Sequence, residues 1–181
     1  LSISQLTPNL IFASVTDSLQ NFKAIYKSIN GGTSWTTLGV NGLDTNLYGG
    51  FGWYFGQVRV NPFNDNDISI LGVEMYSTLD GGNNWFKSVP DWWTYQVHAD
   101  CHDLLYVSNT TQFLCTDGGL YKTTNHMNTW SDADELPNTQ FYRIAINPHQ
   151  SGVYAGGAQD NGTTSGNAST INNWPREFGG D

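Results

Sequence analysis

Apolar and polar residues alternate in short runs along this chain, and clusters of Gly, Asn, Asp and Pro separate the runs. Residues 57–61 form one run and residues 68–72 another, and the segment 62–67 between them has the composition of a turn. Alternation with a period of two turns one face of a strand toward a core, so these runs predict β-strands. No stretch keeps the helical apolar period of about 3.6 residues. The sequence therefore predicts an all-β protein.

One ten-residue pattern occurs three times: a tyrosine, then Ser or Thr, then Asp or Asn, and a closing tryptophan. The three copies, called the repeated turns below, are residues 26–35, 76–85 and 121–130. Their closing tryptophans lie 50 and 45 residues apart, and Trp174 follows 44 residues after the third. A four-stranded unit of this length predicts the blade of a β-propeller. The predicted blades are residues 1–47, 48–93, 94–138 and 139–181.

The repeated turns carry side chains that stabilise a tight turn. Asp80 and Asn30 offer side-chain oxygens to N–H groups of the turn, and the neighbouring glycines tolerate positive φ. The closing tryptophan is expected to pack its apolar face beneath the hairpin, so all three should be largely buried.

This pattern resembles the Asp-box, or BNR repeat, of β-propellers such as sialidases, sortilins and xyloglucan-type endoglucanases. The residues that match are Thr78, Asp80, Gly82 and Trp85 in full, Ser28, Asn30, Gly32 and Trp35 with Asn for Asp, and Thr123, Asn125 and Trp130. Met127 stands where the third copy should have glycine. The resemblance implies a propeller of four-stranded antiparallel blades with Asp-box hairpins, part of a six-bladed or larger propeller. It also implies that these turns lie away from any functional site.

Longer phrases are similar to sortilin/VPS10-like, BNR-repeat propellers of secreted bacterial proteins. They are residues 97–104, 116–121, 140–145, 156–163 and 178–181, in that order. The resemblance implies a secreted or cell-surface propeller and no particular reaction. The start at Leu1 without Met indicates a mature or partial product.

Charge excludes some partners. Seven basic against sixteen acidic residues give a net charge of −9, which argues against nucleic acid or an anionic membrane as partner. No apolar run approaches the roughly 18 residues of a membrane span. Two half-buried thiols are favoured over a disulfide for Cys101 and Cys115, because a hairpin would not place them opposite each other.

The densest group of candidate metal ligands is His98, Asp100 and His102. Alternate residues of a strand share a face, so two imidazoles and a carboxylate could bind a divalent cation there. Hydrogen bonding along a propeller channel is the favoured alternative, and we predict no cofactor. Asp117, Asp160 and Asp181 could contribute oxygens to calcium. Plain turn capping is favoured for these as well.

Two aromatic runs, residues 48–55 and 91–95, precede predicted inner strands. Their exposed rings could stack on sugars, with Asp91 or His98 bonding hydroxyls. Packing between blades is expected to bury more than half of the rings. The predicted ligand-binding residues are Trp53, Tyr54, Asp91, Trp92, Trp93, Tyr95 and His98.

The function predicted first is a non-catalytic binding module for glycan or protein. One alternative is a glycoside hydrolase of the xyloglucanase type, which needs a pair of carboxylates from Asp91, Asp100, Asp103, Asp117 and Asp160. A sialidase is disfavoured, because Arg59, Arg143 and Arg176 stand in no matching motif. The other alternative is a structural component whose blade edges are covered by further blades of a longer chain or by neighbouring subunits.

Overall fold

A computed structural model of the chain describes residues 1–133, 139–170 and 173–180. The described residues form sixteen strands in four antiparallel sheets of four strands each, with one short 3₁₀ helix at Trp92–Thr94. The chain divides into two compact units, Leu1–Asp132 with three sheets and Ala133–Asp181 with the fourth. The predicted all-β fold is confirmed.

Strand order within every sheet follows the chain. Sheet 1 contains β1 (Ser2–Ile3), β2 (Ile11–Thr16), β3 (Phe22–Ser28) and β4 (Thr36–Thr37). Sheet 2 contains β5 (Gln57–Asn61), β6 (Asn64–Leu71), β7 (Met75–Thr78) and β8 (Phe86–Lys87). Sheet 3 contains β9 (Cys101–Tyr106), β10 (Gln112–Thr116), β11 (Gly119–Thr123) and β12 (Ser131–Asp132). Sheet 4 contains β13 (Arg143–Ile146), β14 (Tyr154–Ala158), β15 (Gly162–Gly166) and β16 (Arg176–Phe178).

One sheet falls within each predicted blade range, while the exact blade boundaries stay a prediction. Residues 134–138, at the third boundary, and Asp181 lie outside the described residues.

The predicted turn over residues 62–67 is wrong in its extent. Only Pro62 and Phe63 form the turn, and β6 begins at Asn64, which pairs with Asn61. Polar side chains occur within this strand because residues on other segments form hydrogen bonds with them. The Asp65 carboxylate, for example, accepts hydrogen bonds from Ser4 and Thr7 of the first sheet's hairpin.

Both cysteines are free thiols, Cys101 buried and Cys115 exposed. Cys115 pairs with Asp103 across the β9–β10 ladder, whereas Cys101 pairs with Thr116 beyond a bulge. The two side chains are therefore not opposite each other, in agreement with the prediction from the sequence. The prediction that both thiols are half-buried is wrong, because the strand turns Cys101 toward the core and Cys115 toward solvent. Burial raises the pKa of the Cys101 thiol.

The apolar core of Leu1–Asp132 lies between successive sheets. One cluster fills the space between sheets 1 and 2, with Phe12, Ile25, Val58 and Ile70 fully buried. A second cluster, which includes Leu71, lies between sheets 2 and 3. Face-to-face packing of twisted sheets through interdigitating side chains thus holds this unit together.

Tyr48 is the largest fully buried side chain of the first cluster. Its hydroxyl shares a hydrogen bond with Ser14, and its ring meets Phe22 edge to face at 5.8 Å between centroids. Burial raises the pKa of Tyr48 to about 12, although the bond to Ser14 acts in the opposite direction.

We expect alkaline pH to destabilise the chain partly through Tyr48. In the unfolded chain this phenol ionises near pH 10, whereas in the fold it resists ionisation until about pH 12. The stabilisation is complete below about pH 10 and is lost as pH rises through the folded pKa, with a total of roughly 2–3 kcal/mol. Urea midpoints measured from about pH 9 to 11 should therefore fall less steeply for Tyr48→Phe than for wild type. Equal slopes would contradict this assignment, since the other buried ionisable groups are common to both proteins.

Candidate functional site

The first three sheets share a common end, formed by the repeated turns and called the turn end below. There, a backbone N–H near the tip of each repeated turn donates to a carbonyl beside the connection between the first two strands of the same sheet. The three bonds are Gly31 to Asn9 (2.9 Å), Gly81 to Asn66 (3.0 Å) and His126 to Thr110 (3.0 Å).

Each repeated turn is closed by its own side chains. In the second turn, Thr78 Oγ1 donates to Asp80 Oδ1 at 2.8 Å and accepts from Gly82 N–H at 3.1 Å. Asp80 Oδ1 also accepts from the N–H groups of Asn83 and Asn84, both at 2.9 Å. Hydrogen bonds from the side chain and backbone of Asn84, with that from Thr78, hold the Asp80 pKa well below its usual range. Turn capping, as predicted, accounts for these polar residues.

The first and third turns reproduce this arrangement with asparagine. Ser28 donates to Asn30 at 3.0 Å, and Thr123 donates to Asn125 at 3.1 Å. In the third turn Met127 takes the place of glycine with φ of 64°, and its N–H donates to Thr123 Oγ1 at 3.1 Å. The turn geometry therefore survives without the expected glycine.

The prediction that all three closing tryptophans are buried is wrong for Trp35. Trp85 is 4% exposed, and its indole N–H donates to the Gly39 carbonyl of the preceding segment at 3.0 Å. Trp130 is half-buried and bonds Ser88 in the same way at 2.9 Å. Trp35 is 40% exposed, and its indole N–H donates to the Gly32 carbonyl of its own turn at 3.0 Å. The preceding segment, and not the hairpin alone, buries these rings.

Long connections meet at the opposite end of the sheets. Val73, in the β6–β7 turn, donates its N–H to Leu47 and accepts at its carbonyl from Asp100, both at 2.9 Å. Gly52 N–H donates to the Gln20 carbonyl at 2.7 Å. Gly72 approaches the Leu47 carbonyl so closely that a Cβ would lie 2.3 Å from its oxygen. We call this surface, residues 17–21, 44–56, 72–74, 91–100 and 117–118, the loop end.

Most rings of the two aromatic runs are exposed at the loop end. Trp53 is 71% exposed and Tyr95 86%. The expected packing between blades accounts for Tyr48, which is buried, and in part for Phe55. Packing between blades therefore buries fewer than half of the rings, and the prediction that it buries more than half is wrong. The exposed rings are Phe51, Trp53, Tyr54, Trp92, Trp93 and Tyr95.

Ring contacts orient several of these side chains. Tyr54 lies 5.4 Å from the Trp53 ring and 5.1 Å from the His102 ring, the latter edge to face. Trp92 and Trp93, in the 3₁₀ helix, meet edge to face at 5.8 Å. The rings therefore have defined positions while their outer faces stay open to a ligand.

Asp91 is held by a lysine. Lys87 Nζ donates to the carboxylates of both Asp91 and Glu74, and it lies 5.3 Å from the centre of the Trp93 ring. The sequence indicated Asp91 as a ligand-binding residue but not Glu74 or Lys87. Glu74 lies in the β6–β7 turn of sheet 2 and Lys87 lies in β8, so neither belongs to an aromatic run.

The structure does not bring His98, Asp100 and His102 together as metal ligands. Their predicted common face required a continuous strand, but β9 begins only at Cys101, and Asp100 has φ of 66°. His98 Nδ1 lies 3.0 Å from the Ala99 carbonyl oxygen, and His102 Nε2 is bonded to Asp117. Within Leu1–Asp132, all of it described, no three His, Cys, Asp or Glu ligand atoms all lie within 4.8 Å of one another.

The unit Ala133–Asp181 carries an open cavity of about 600 Å³ along β13 and β14. Its lining includes Tyr142, Ile144 and Gly156, and Ile144 and Ile146 of β13 are largely exposed. The Tyr142 hydroxyl donates to the side-chain oxygen of Gln159, which also lines the cavity. The remaining polar residues of the lining are Arg143 and Thr163.

No family model matches this sequence, and no curated protein matches it. Its fold is similar to several solved structures. A GH74 enzyme of Niastella koreensis is 14% identical with a TM-score of 0.55, over 98% of this chain and 29% of that one. YCF48 bound to D1 peptide is 16% identical with a TM-score of 0.55, over 97% of this chain and 53% of that one. A GH74 xyloglucanase from Xanthomonas campestris is 13% identical with a TM-score of 0.56, over 96% of this chain and 29% of that one.

These neighbours are β-propeller proteins, so the predicted propeller-type fold with four-stranded antiparallel blades is confirmed. The chain spans between 29% and 53% of the length of these three structures. At such low identity the likeness establishes the fold alone. Across the described ranges, no helix has the length and apolar character needed to span a membrane.

Proposed function

We propose that this chain is a binding module of the β-propeller type whose ligand contacts the loop end. The observation that carries the proposal is the concentration of six exposed aromatic rings on that surface. Aromatic side chains offer a large contact area at low entropic cost, and loops on a rigid scaffold are where recognition usually lies. The turn end, by contrast, directs its polar side chains into its own turns.

The repeated turns support a further assignment. We propose that they are Asp-boxes and that the chain is related to sortilin/VPS10-like BNR-repeat propellers that are secreted or displayed on cells. Support comes from the hydroxyl-to-carboxylate or hydroxyl-to-amide bond that recurs in all three turns. Strand β13, all four residues of which are exposed, supports in addition a covering partner such as further blades or a neighbouring subunit.

Both proposed ligand classes, glycan and protein, are compatible with this fold. One fold neighbour is a xyloglucanase, and another was solved with D1 peptide bound. The hydrolase alternative has weaker support from the carboxylates of this chain. Of the five candidate carboxylates, three have a basic partner, because Asp91 is bonded to Lys87, Asp103 to Arg59 and Asp117 to His102.

The proposal is tested by removing exposed rings and measuring binding to two panels, soluble polysaccharides including xyloglucan and an array of synthetic peptides. We expect Trp53→Ala or Trp92→Ala to weaken binding about tenfold, as is typical where an aromatic anchor contacts its ligand. Trp35→Ala is the matched control, because it removes an exposed indole from the turn end. If both loop-end variants bind like wild type, the surface is not the binding site. Release of reducing sugar from xyloglucan would establish hydrolysis instead.

A further inference from the structure

The loop end is acidic as well as aromatic. Its five segments contain no lysine or arginine. They contain six carboxylates, and these are Asp17, Asp44, Glu74, Asp91, Asp100 and Asp117. The two aromatic runs of the sequence contain only one acidic residue, Asp91. The other carboxylates lie in turns and connections that are brought to the same end only by the fold.

Three basic side chains lie on strands that adjoin this surface, and they are Lys23 of β3, Arg59 of β5 and Lys87 of β8. Lys23 is exposed, whereas Arg59 and Lys87 are engaged in ion pairs. Lys87 is bonded to Glu74 and Asp91, and Arg59 Nη2 lies 2.8 Å from Asp103. These contacts offset part of the negative charge and leave neither Arg59 nor Lys87 directed at a ligand. Burial raises the pKa of Tyr76, the nearby carboxylates of Asp44, Glu74 and Asp91 raise it further, and Lys87 acts in the opposite direction.

The surface already shows how it holds an ammonium group. Lys87 Nζ lies over the Trp93 ring, 5.3 Å from its centre, and bonds the Asp91 carboxylate beside it. A cation is attracted to the negative face of an aromatic ring, and a flanking carboxylate adds to that attraction. The loop end carries further exposed rings and further carboxylates, which are the two kinds of group that such a pairing requires.

We infer that the loop end binds an extended protein segment rich in lysine or arginine, whose cationic side chains lie over the exposed rings beside the carboxylates. This inference rests on the proposed function and commits it to one ligand class. Charge complementarity favours such a segment, because a neutral sugar would satisfy the rings but not the negative field. An anionic ligand would be repelled by that field.

The test is fluorescence anisotropy with three labelled fifteen-residue peptides, repeats of Lys-Ser-Gly, Gln-Ser-Gly and Glu-Ser-Gly. We expect wild type to bind the lysine peptide at least about tenfold more tightly than the other two at low ionic strength. Because the ions are exposed, affinity should fall severalfold in about 0.5 M salt. Asp44→Asn should weaken lysine-peptide binding about two- to fivefold, while its amide can still accept the bond from Asn46 N–H.

Asp80→Asn is the matched control. It removes one negative charge from the turn end, where Asn30 and Asn125 already perform the same role in the sister turns. If both asparagine variants lose affinity equally, the effect is one of net charge and the inference is wrong. Equal binding of the three peptides also overturns the inference. The inference is overturned as well if the lysine peptide does not bind while xyloglucan binds through Trp53 and Trp92, but that result leaves the proposed function intact. If wild type binds no member of either panel, both fail.

Discussion

Replacing Trp85 by alanine is expected to destabilise the unit Leu1–Asp132 by about 3–5 kcal/mol, the usual cost of deleting a large buried aromatic side chain. Trp85 is 4% exposed and belongs to the core cluster between sheets 1 and 2. Its indole N–H also donates to Gly39, so the variant leaves both a cavity and a carbonyl without its partner. The free energy of unfolding is measured by urea titration followed by far-ultraviolet circular dichroism.

Trp35→Ala is the control for that experiment, since it removes the same side chain from the equivalent position of the first repeated turn. Trp35 is 40% exposed and bonds only within its own turn, so its loss should cost about 1 kcal/mol or less. The half-buried Trp130 should give an intermediate value. A cost for Trp85→Ala as small as that for Trp35→Ala would show that packing on the preceding segment does not stabilise the fold.

The repeated turns were predictable because their contacts are local. Thr78, Asp80 and Gly82 interact at separations of two and four residues, so the local sequence already determines which of these groups form hydrogen bonds. Strand positions followed from alternation for the same reason. Burial of the closing tryptophans was not predictable, because it depends on a contact with a segment some 45 residues away, which Trp85 makes and Trp35 does not.

In the candidate site, too, the features that depend on local sequence were predictable and those that depend on distant segments were not. Exposure of Trp53 and Trp92 could be suspected from their positions in the connections between predicted blades, but the surrounding carboxylates come from turns far apart in sequence. His98, Asp100 and His102 failed as a set because their alternation was counted across a left-handed residue that interrupts the extended backbone. A period of two predicts a shared face only inside a continuous strand.

The turn predicted over residues 62–67 was wrong for a related reason. Their polar composition is typical of a turn, yet Asp67 lies in β6 and is 0% exposed. Its Oδ2 accepts from Asn61 Nδ2 at 2.6 Å and lies 2.9 Å from Nε2 of His126, which is 59 residues away in the third repeated turn. A buried carboxylate is tolerated only with such partners, and no local pattern shows where they lie.

We therefore expect His126→Gly to destabilise Leu1–Asp132 by about 3 kcal/mol, because it leaves the buried Asp67 carboxylate without one of its two donors. Glycine suits the backbone of this site. His126 has φ of 56°, and Gly31 and Gly81 make the equivalent backbone bond in the other two repeated turns.

Asp67→Asn provides the test of mechanism. If His126 acts through the carboxylate, its replacement should cost far less in the Asp67→Asn background, and the two changes should be non-additive by more than about 1 kcal/mol in a double-mutant cycle. Urea titrations of the wild type, both single variants and the double variant give that coupling energy. Additivity within about 0.5 kcal/mol would mean that His126 stabilises only its own turn, and that Asn61 and the surrounding packing suffice to hold Asp67 between sheets 2 and 3.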